Sequence, residues 1–157
     1  MPIPSYGTFD QIEGSCEVQD REGTVEIIEM EHLVDIPVDP RDASATGARQ
    51  HHGMKLVANI DKATPQLMQC VCTSKEIPTV KIDFYRLDKD GNQVLYYTIT
   101  MSTVRIVSAK TWFPNTNEPA NGPFKDMMTY ELRYDKIEWN YTDGNLSFAD
   151  EWKVTAR

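Results

Sequence analysis

The residue types able to do chemistry in this chain fall into four short groups. His51-His52 is a histidine pair, Cys70-Val71-Cys72 a pair of thiols, and Asp88-x-Asp90-x-Asn92 a run of oxygen ligands; Trp139, Tyr141 and Trp152 add large aromatics near the end. Histidines and thiols bind zinc, alternating acidic residues bind calcium, and aromatic faces stack planar ligands. None of the groups has the spacing its chemistry needs. Adjacent residues of an extended chain point to opposite sides, so His51 and His52 do not converge on one ion. His32 lies on the apolar face of a strand, and no Cys or carboxylate cluster completes a ligand set. Residues two apart on a helix sit roughly 200° apart about its axis, so Cys70 and Cys72 read as packing thiols, with Cys16 a lone thiol. An EF-hand loop needs glycine at its sixth position and glutamate at its twelfth. Gln93 and Ile99 stand there, and strands flank the segment, so Asp88–Asn92 reads as a hairpin turn. The aromatics read as barrel core or subunit interface. There is no glycine-rich phosphate loop, G-x-S-x-G elbow or H-E-x-x-H, and no pattern pairs a serine with a base. No catalytic residue, cofactor site or metal site is expected.

The elements that must carry these residues are mostly strands. Ile28, Met30, His32, Val34, Ile36 and Val38 alternate against Glu29, Glu31 and Asp35, with Leu33 an exception, which predicts a half-buried strand. Leu56, Ala58 and Ile60 repeat the theme, as do Val80, Ile82 and Phe84 against Lys81 and Asp83. Val94–Met101 returns from the Asp88–Asn92 turn as a hairpin partner. Val104–Val107 and Met128–Trp139 predict two further strands. In the last, the apolar phase slips from Tyr130, Leu132 and Tyr134 to Ile137, Trp139 and Tyr141, which a bulge or bend explains. One helix is expected, with Thr64 as N-cap, Pro65 at its first position and an end near Ser74–Lys75. Leu67, Met68, Val71 and Cys72 share its apolar face. Many strands and one helix give an all-β barrel or sandwich.

Composition sets limits. A chain of 157 residues reads as one domain, 1–157, and buries ~68–70% of its unfolded surface. The net charge of −8 argues against a nucleic-acid partner, which needs a basic patch. No stretch approaches the ~18 apolar residues of a membrane span, so no membrane insertion is expected. Met1–Gly7 lacks the basic region and apolar core of a secretory signal peptide. Asn140-Tyr-Thr and Asn145-Leu-Ser are therefore incidental matches to the glycosylation pattern. Three cysteines without framework spacing suggest a reduced, cytosolic protein.

Between two patterned strands lies Asp39–Met54, sixteen residues without apolar periodicity. Loops beyond ~12–15 residues are usually functional or disordered, which makes this one a candidate arm for touching another molecule. A second loop, Phe113–Asp126, is rich in Pro, Asn and Gly.

The same region carries a family resemblance. Pro37-Val-Asp-Pro40, Gly47-x-Arg49-x-His51 and Leu56 through Asp61-Lys-Ala-Thr-Pro65 resemble the haemolysin-coregulated proteins (Hcp), tube subunits of bacterial type VI secretion systems. The likeness continues through Ile77-Pro-Thr-Val80, Phe84-Tyr-Arg86, Ile106-Val107 and Lys136-Ile-Glu-Trp139, and closes at Asp150-Glu-Trp152. It implies a compact barrel of two antiparallel sheets with a flanking helix and a long extended loop. It implies homohexameric rings stacked into a hollow tube inside a contractile sheath, built on a baseplate and capped by a VgrG-type spike. Effectors would travel in the lumen. The protein would fold in the cytoplasm and leave through the machine, as the plain structural subunit and not an enzyme. His51 matches the family's histidine after the loop arginine, which favours a loop-anchoring role.

On this reading Asp39, Pro40, Arg41, Asp42, Ser44, Thr46, Gly47, Arg49 and His51 form a ring-stacking or intersubunit loop, its arginines serving either stacking or ring closure, and its polar content suits reversible contacts. Thr64, Pro65, Leu67, Met68 and Val71 serve helix packing or an interface. Ring closure needs a heterologous interface, for which exposed barrel edges and the helix are available. A phage-type tail-tube subunit and a monomeric ligand-binding barrel are the alternatives; a hydrolase has no supporting constellation.

Overall fold

The computed structural model describes residues 3–152. Its strands are β1 (Ser5–Phe9), β2 (Val25–Glu31), β3 (Val34–Asp35), β4 (Gln50–His51), β5 (Met54–Asn59), β6 (Ile77–Leu87), β7 (Gln93–Trp112), β8 (Met127–Arg133), β9 (Lys136–Tyr141) and β10 (Leu146–Glu151); α1 spans Thr64–Thr73. Hydrogen bonds run antiparallel through β7-β6-β1-β2-β5-β8, and β8 returns to β7, closing a six-stranded barrel. β9 and β10 extend the sheet from β7 outside the closed ring. The mainly β barrel with one flanking helix and a long extended loop is thus what the chain forms.

β7 makes closure possible. Its first half pairs with β6 and β9, and its second half, from Arg105, pairs with β8. The sequence suggested two strands here, Val94–Met101 and Val104–Val107. They are one strand, bent where Thr103 takes φ 53° and where Val107 is the extra residue of a bulge. Bulges of this kind bend and re-aim a strand. Met128–Trp139 does the opposite. The expected bend is a full break at Tyr134–Asp135, with β8 and β9 pairing different stretches of β7.

Alternation found the strands but did not always find the buried face. In β2 the inward residues are Val25 and Ile27, whereas Ile28 is exposed. Ile28 is the extra residue of a bulge, so the phase flips there and Met30 packs on the core. Beyond Glu31 the chain leaves the barrel, and Val34, Ile36 and Val38 alternate in solvent. Leu56 and Ala58 are buried as expected, but Ile60 lies past the end of β5 and is exposed. β1 and β10 were missed, being only five and six residues long.

α1 packs against β7. Its N-cap position is Ala63, not Thr64, and no side chain caps the first turn; Asp61 closes the turn that leads into it. The Asp61 carboxylate accepts the Ala63 N–H at 3.0 Å, while the Asp61 N–H donates to Thr64 Oγ1 at 3.0 Å. Pro65 sits in the first turn, where its missing N–H costs nothing. Ser74 ends the helix at φ 55°, and the Lys75 N–H donates to the Cys70 carbonyl at 3.1 Å, a left-handed stop. The buried side chains are Thr64, Leu67 and Cys70, with Met68 and Val71 half-buried against the core. Cys72, placed on the apolar face by its spacing, is exposed. Burial also pushes the Cys70 thiol up from its ordinary value. Cys70→Ser should therefore cost about 1–3 kcal/mol for a buried hydroxyl, and Cys72→Ser within about 0.5 kcal/mol of nothing. Urea unfolding checks both; equal effects would mean that the helix face is assigned wrongly.

Candidate functional site: a ribbon arm and its anchor

The Asp39–Met54 segment is not structureless. β3 pairs antiparallel with β4, Val34 opposite His51, and a further bridge joins Val38 to Ala45. The Thr46 N–H donates to the Pro37 carbonyl and the Asp39 N–H to the Ser44 carbonyl, each at 2.8 Å. The result is a two-stranded ribbon with Pro40-Arg41-Asp42-Ala43 at its tip. The tip is closed by its own carboxylates. Asp39 Oδ1 accepts the Arg41 N–H at 2.8 Å, Asp42 Oδ1 accepts the Ser44 N–H at 3.0 Å, and Ala43 takes φ 60°. The Ser44 N–H holds the Asp42 carboxyl below its ordinary value. Such turns are why Asp and Ser populate chain reversals.

From Val34 to Gln50 the ribbon is exposed except at half-buried Pro37 and Asp39. Besides its polar residues it presents an aliphatic face: Ile36 is 52% exposed and Val38 55%, beside Leu33 and Val34. Ile36 and Val38 were expected on the apolar face of a half-buried strand leading into a polar loop. The alternation in Val34-Asp35-Ile36-Pro37-Val38 supplies the apolar face, because no core lies beneath it.

The root is fixed. His51, at the end of β4, is buried. Its Nδ1 lies 2.5 Å from Tyr134 Oη and its Nε2 2.7 Å from Asp150 Oδ2. His32 reaches the same hydroxyl with Nε2 at 2.7 Å. Arg49 donates Nε–H to Asp150 Oδ2 at 2.5 Å and Nη2–H to Oδ1 at 2.8 Å, the two-pronged geometry that makes arginine–carboxylate pairs specific. The same Nη2 donates to the Glu151 carbonyl at 3.2 Å. Arg49 and His51 hold the Asp150 carboxyl below its ordinary value, the arginine contributing most. Burial, then the charge of Asp150, pushes the Tyr134 phenol well up. The His51 ring stacks on Trp139 and lies 5.0 Å from the Trp152 ring.

These contacts join four elements distant in sequence: the β2–β3 link, β4, the β8–β9 turn and β10. His51 and Arg49 thus meet as the anchor of the arm. Arg49 is committed within the chain, whereas Arg41 and Asp42 lie at the exposed tip. Tyr134 and Asp150 are the residues the sequence reading missed as partners. Asp150 appeared only as part of a motif, and Tyr134 only as an apolar position on a strand.

A cavity of about 530 Å³ opens beside the root, lined by His51, His52, Tyr134, Trp152, Arg105 and Arg133 among others. Its arginines are occupied: Arg105 bonds Glu76 at 2.7 Å and Asp135 at 3.2 Å, and Arg133 donates to the His51 carbonyl at 3.3 Å. Among the described residues no group of three His, Cys, Asp or Glu is placed to hold a metal ion. No described helix is long and apolar enough to cross a membrane. Asp88 closes its turn by accepting the Asp90 and Asn92 N–H groups.

Comparison with known proteins agrees with this architecture. The family model described as type VI secretion system effector, Hcp, matches residues 6–141. The major exported protein of Pseudomonas aeruginosa is 29% identical over 140 residues, 89% of this chain and 81% of that one. A double mutant of Hcp1 from the Escherichia coli EAEC 042 pathovar superposes with a TM-score of 0.82 at 30% identity, over 98% of this chain and 99% of that chain. Secreted protein Hcp3 from Pseudomonas aeruginosa superposes at 0.75 with 22% identity, over 96% and 99%, a likeness of fold. With the family model matching most of its length and the barrel matching throughout, the chain belongs to the Hcp family of the type VI secretion system.

Proposed function

We propose that this chain is the structural subunit of the secretion tube, forming six-membered rings that stack into a hollow tube expelled by sheath contraction. The observation that carries the reading is the arm: a ribbon exposed to its tip yet pinned at its root by a buried network. A free monomer has no use for such a projection. A stacked ring does, because each subunit must reach a neighbour across the ring face. Arg41 and Asp42 at the tip supply polar contacts, each exposed pair worth only ~0–1 kcal/mol. Ile36 and Val38 add apolar area, so stacking sums weak contacts of both kinds.

Ring closure needs a second, heterologous surface. The edge strand β10 offers Leu146 and Phe148, 69% and 65% exposed, and Phe148 stacks on Trp139 at 6.0 Å. The outer face of α1 is also free, since its apolar face is spent on the core. The spike, sheath and baseplate are the further partners of such a tube, and effector proteins its cargo. The fold acts as one unit, 1–157, made in the cytoplasm and exported through the machine.

Deleting Asp42–Ala48 removes the tip and spares the anchor. Rings should survive at ~107 kDa, six copies of the 17.9 kDa chain, while tubes should disappear from negative-stain images. Normal tubes from this variant would sink the stacking role of the arm. A stable monomer of the unaltered protein would sink the ring and bring the ligand-binding barrel forward.

A further inference from the structure

All three histidines of the chain lie at the root of the arm. Two share one hydroxyl. Tyr134 Oη bonds His32 from the outgoing side of the arm and His51 from the returning side, so one side chain of the barrel pins both sides of the ribbon.

The proton count of this pin is restricted. The Asp150 carboxylate only accepts, so His51 Nε2 carries a proton. With His51 neutral, its Nδ1 accepts the Tyr134 O–H, and His32 donates Nε2–H to the phenolic oxygen. One proton on either ring is accommodated: on His32 Nδ1 it leaves the bonds as they are, and on His51 it reverses them, His51 Nδ1–H donating to Tyr134 and Tyr134 O–H to a neutral His32. Both arrangements satisfy every group. A second added proton, leaving both rings charged, turns both into donors toward one hydroxyl and strands the hydroxyl's own hydrogen, a costly state for a buried group.

We propose that His32, Tyr134 and His51 form a pH-sensitive latch for the arm, closed while the network holds at most one added proton and opened by the second. Cavities of about 530 and 230 Å³ flank the network, the first reaching His51 and the second His32, so solvent supplies the proton. The charges around His32 nearly balance. Glu131 and Arg133 of β8, Lys55 of β5 and Glu31 line its groove. Asp35 pairs with His52 at 3.0 Å, and Asp150 faces His51. Arg105 and Asp135, 3.2 Å apart, lie across the larger cavity. No carboxylate bonds His32 itself among the described contacts, so nothing there repays its charge.

Burial first, then the charges of His51 and His52, hold His32 below its ordinary value of 6.5. A group lowered by folding contributes stability that is present above its unfolded pKa and lost as pH falls through the folded value. The latch is therefore closed above about pH 6.5 and opens below it. It belongs to the single chain and stands whether or not the arm joins rings.

The test is hydrogen–deuterium exchange of the full-length protein, followed by mass spectrometry and corrected for the intrinsic rate at each pH. Protection of peptides covering residues 33–52 should fall roughly tenfold between about pH 7.5 and pH 5, with barrel peptides unchanged. His32→Gln keeps a donor for Tyr134 and cannot be charged, so its arm should hold steady over that range. A flat profile in the unaltered protein, or the same fall in His32→Gln, would overturn the latch. Should that variant not fold, the His32 ring resonances of the unaltered protein decide. Titration in step with arm opening supports the latch, and titration without opening overturns it.

Discussion

Leu132→Ala should lower the free energy of unfolding by about 2–5 kcal/mol, the range for a buried leucine whose cavity stays partly open. The residue is chosen for its place in the fold. Leu132 stands opposite Met54 of β5 and Ile106 of β7 at once, where β8 closes the barrel. Its side chain is fully buried, as is that of Met54, with Ile106 nearly so. Three strands meet there, and none can move inward without breaking a ladder to another, so the cavity cannot collapse. Urea denaturation with an unchanged slope is the measurement. A loss below about 1 kcal/mol would mean that the site relaxes and that closure does not hold it rigid.

Asp150→Ala should loosen the returning side of the arm at its root. The carboxylate accepts two bonds from Arg49 and one from His51. Removing it strands the His51 Nε2–H, whose side chain is only 2% exposed. A buried donor without a partner costs about 1–3 kcal/mol. Arg49 is exposed and adds little to stability, but its loss frees the returning strand of the ribbon. Asp150→Asn keeps an acceptor for His51 and should cost less. The pH dependence follows from the lowered carboxyl of Asp150. Its contribution is present above the ordinary value of 3.8 and is lost as pH falls through the lower folded one. The unaltered protein should therefore lose stability on acidification below about pH 4, and the alanine variant should lack that limb. Urea unfolding at two pH values, with exchange of the arm peptides, measures both effects. Equal stability and equal arm protection in Asp150→Ala would show that the anchor is open in solution.

The two variants act on different kinds of information. The barrel around Leu132 was largely legible in the sequence. Val80, Ile82 and Phe84 alternate against Lys81 and Asp83, the Asp88–Asn92 turn follows, and β6 and β7 pair across it. Period two marks a strand because successive side chains must point to opposite faces. Pro65 fixed the first turn of the helix and Ser74 its end, since each acts through its own backbone. The order of such pieces along the chain was enough to show the resemblance to the Hcp family.

Period two does not say which face finds a partner. Val34, Ile36 and Val38 carry the same pattern as Leu56 and Ala58, yet they stand in solvent. The difference lies in what is opposite: β2 and β8 flank Leu56, whereas the ribbon has only its own second strand. The bulge at Ile28, invisible to local pattern, moved the buried face of β2 by one residue. The anchor was further from reach. His51 lies 83 residues from Tyr134 and 99 from Asp150, and Arg49 lies 101 from Asp150. The sequence by itself determined the strands, the helix and the family, because those follow from neighbours along the chain. Only the tertiary structure decided that the long loop is a pinned ribbon, because closing the barrel brings β4, the β8–β9 turn and β10 to one place, where the hydrogen bonds of a single tyrosine and a single aspartate hold it.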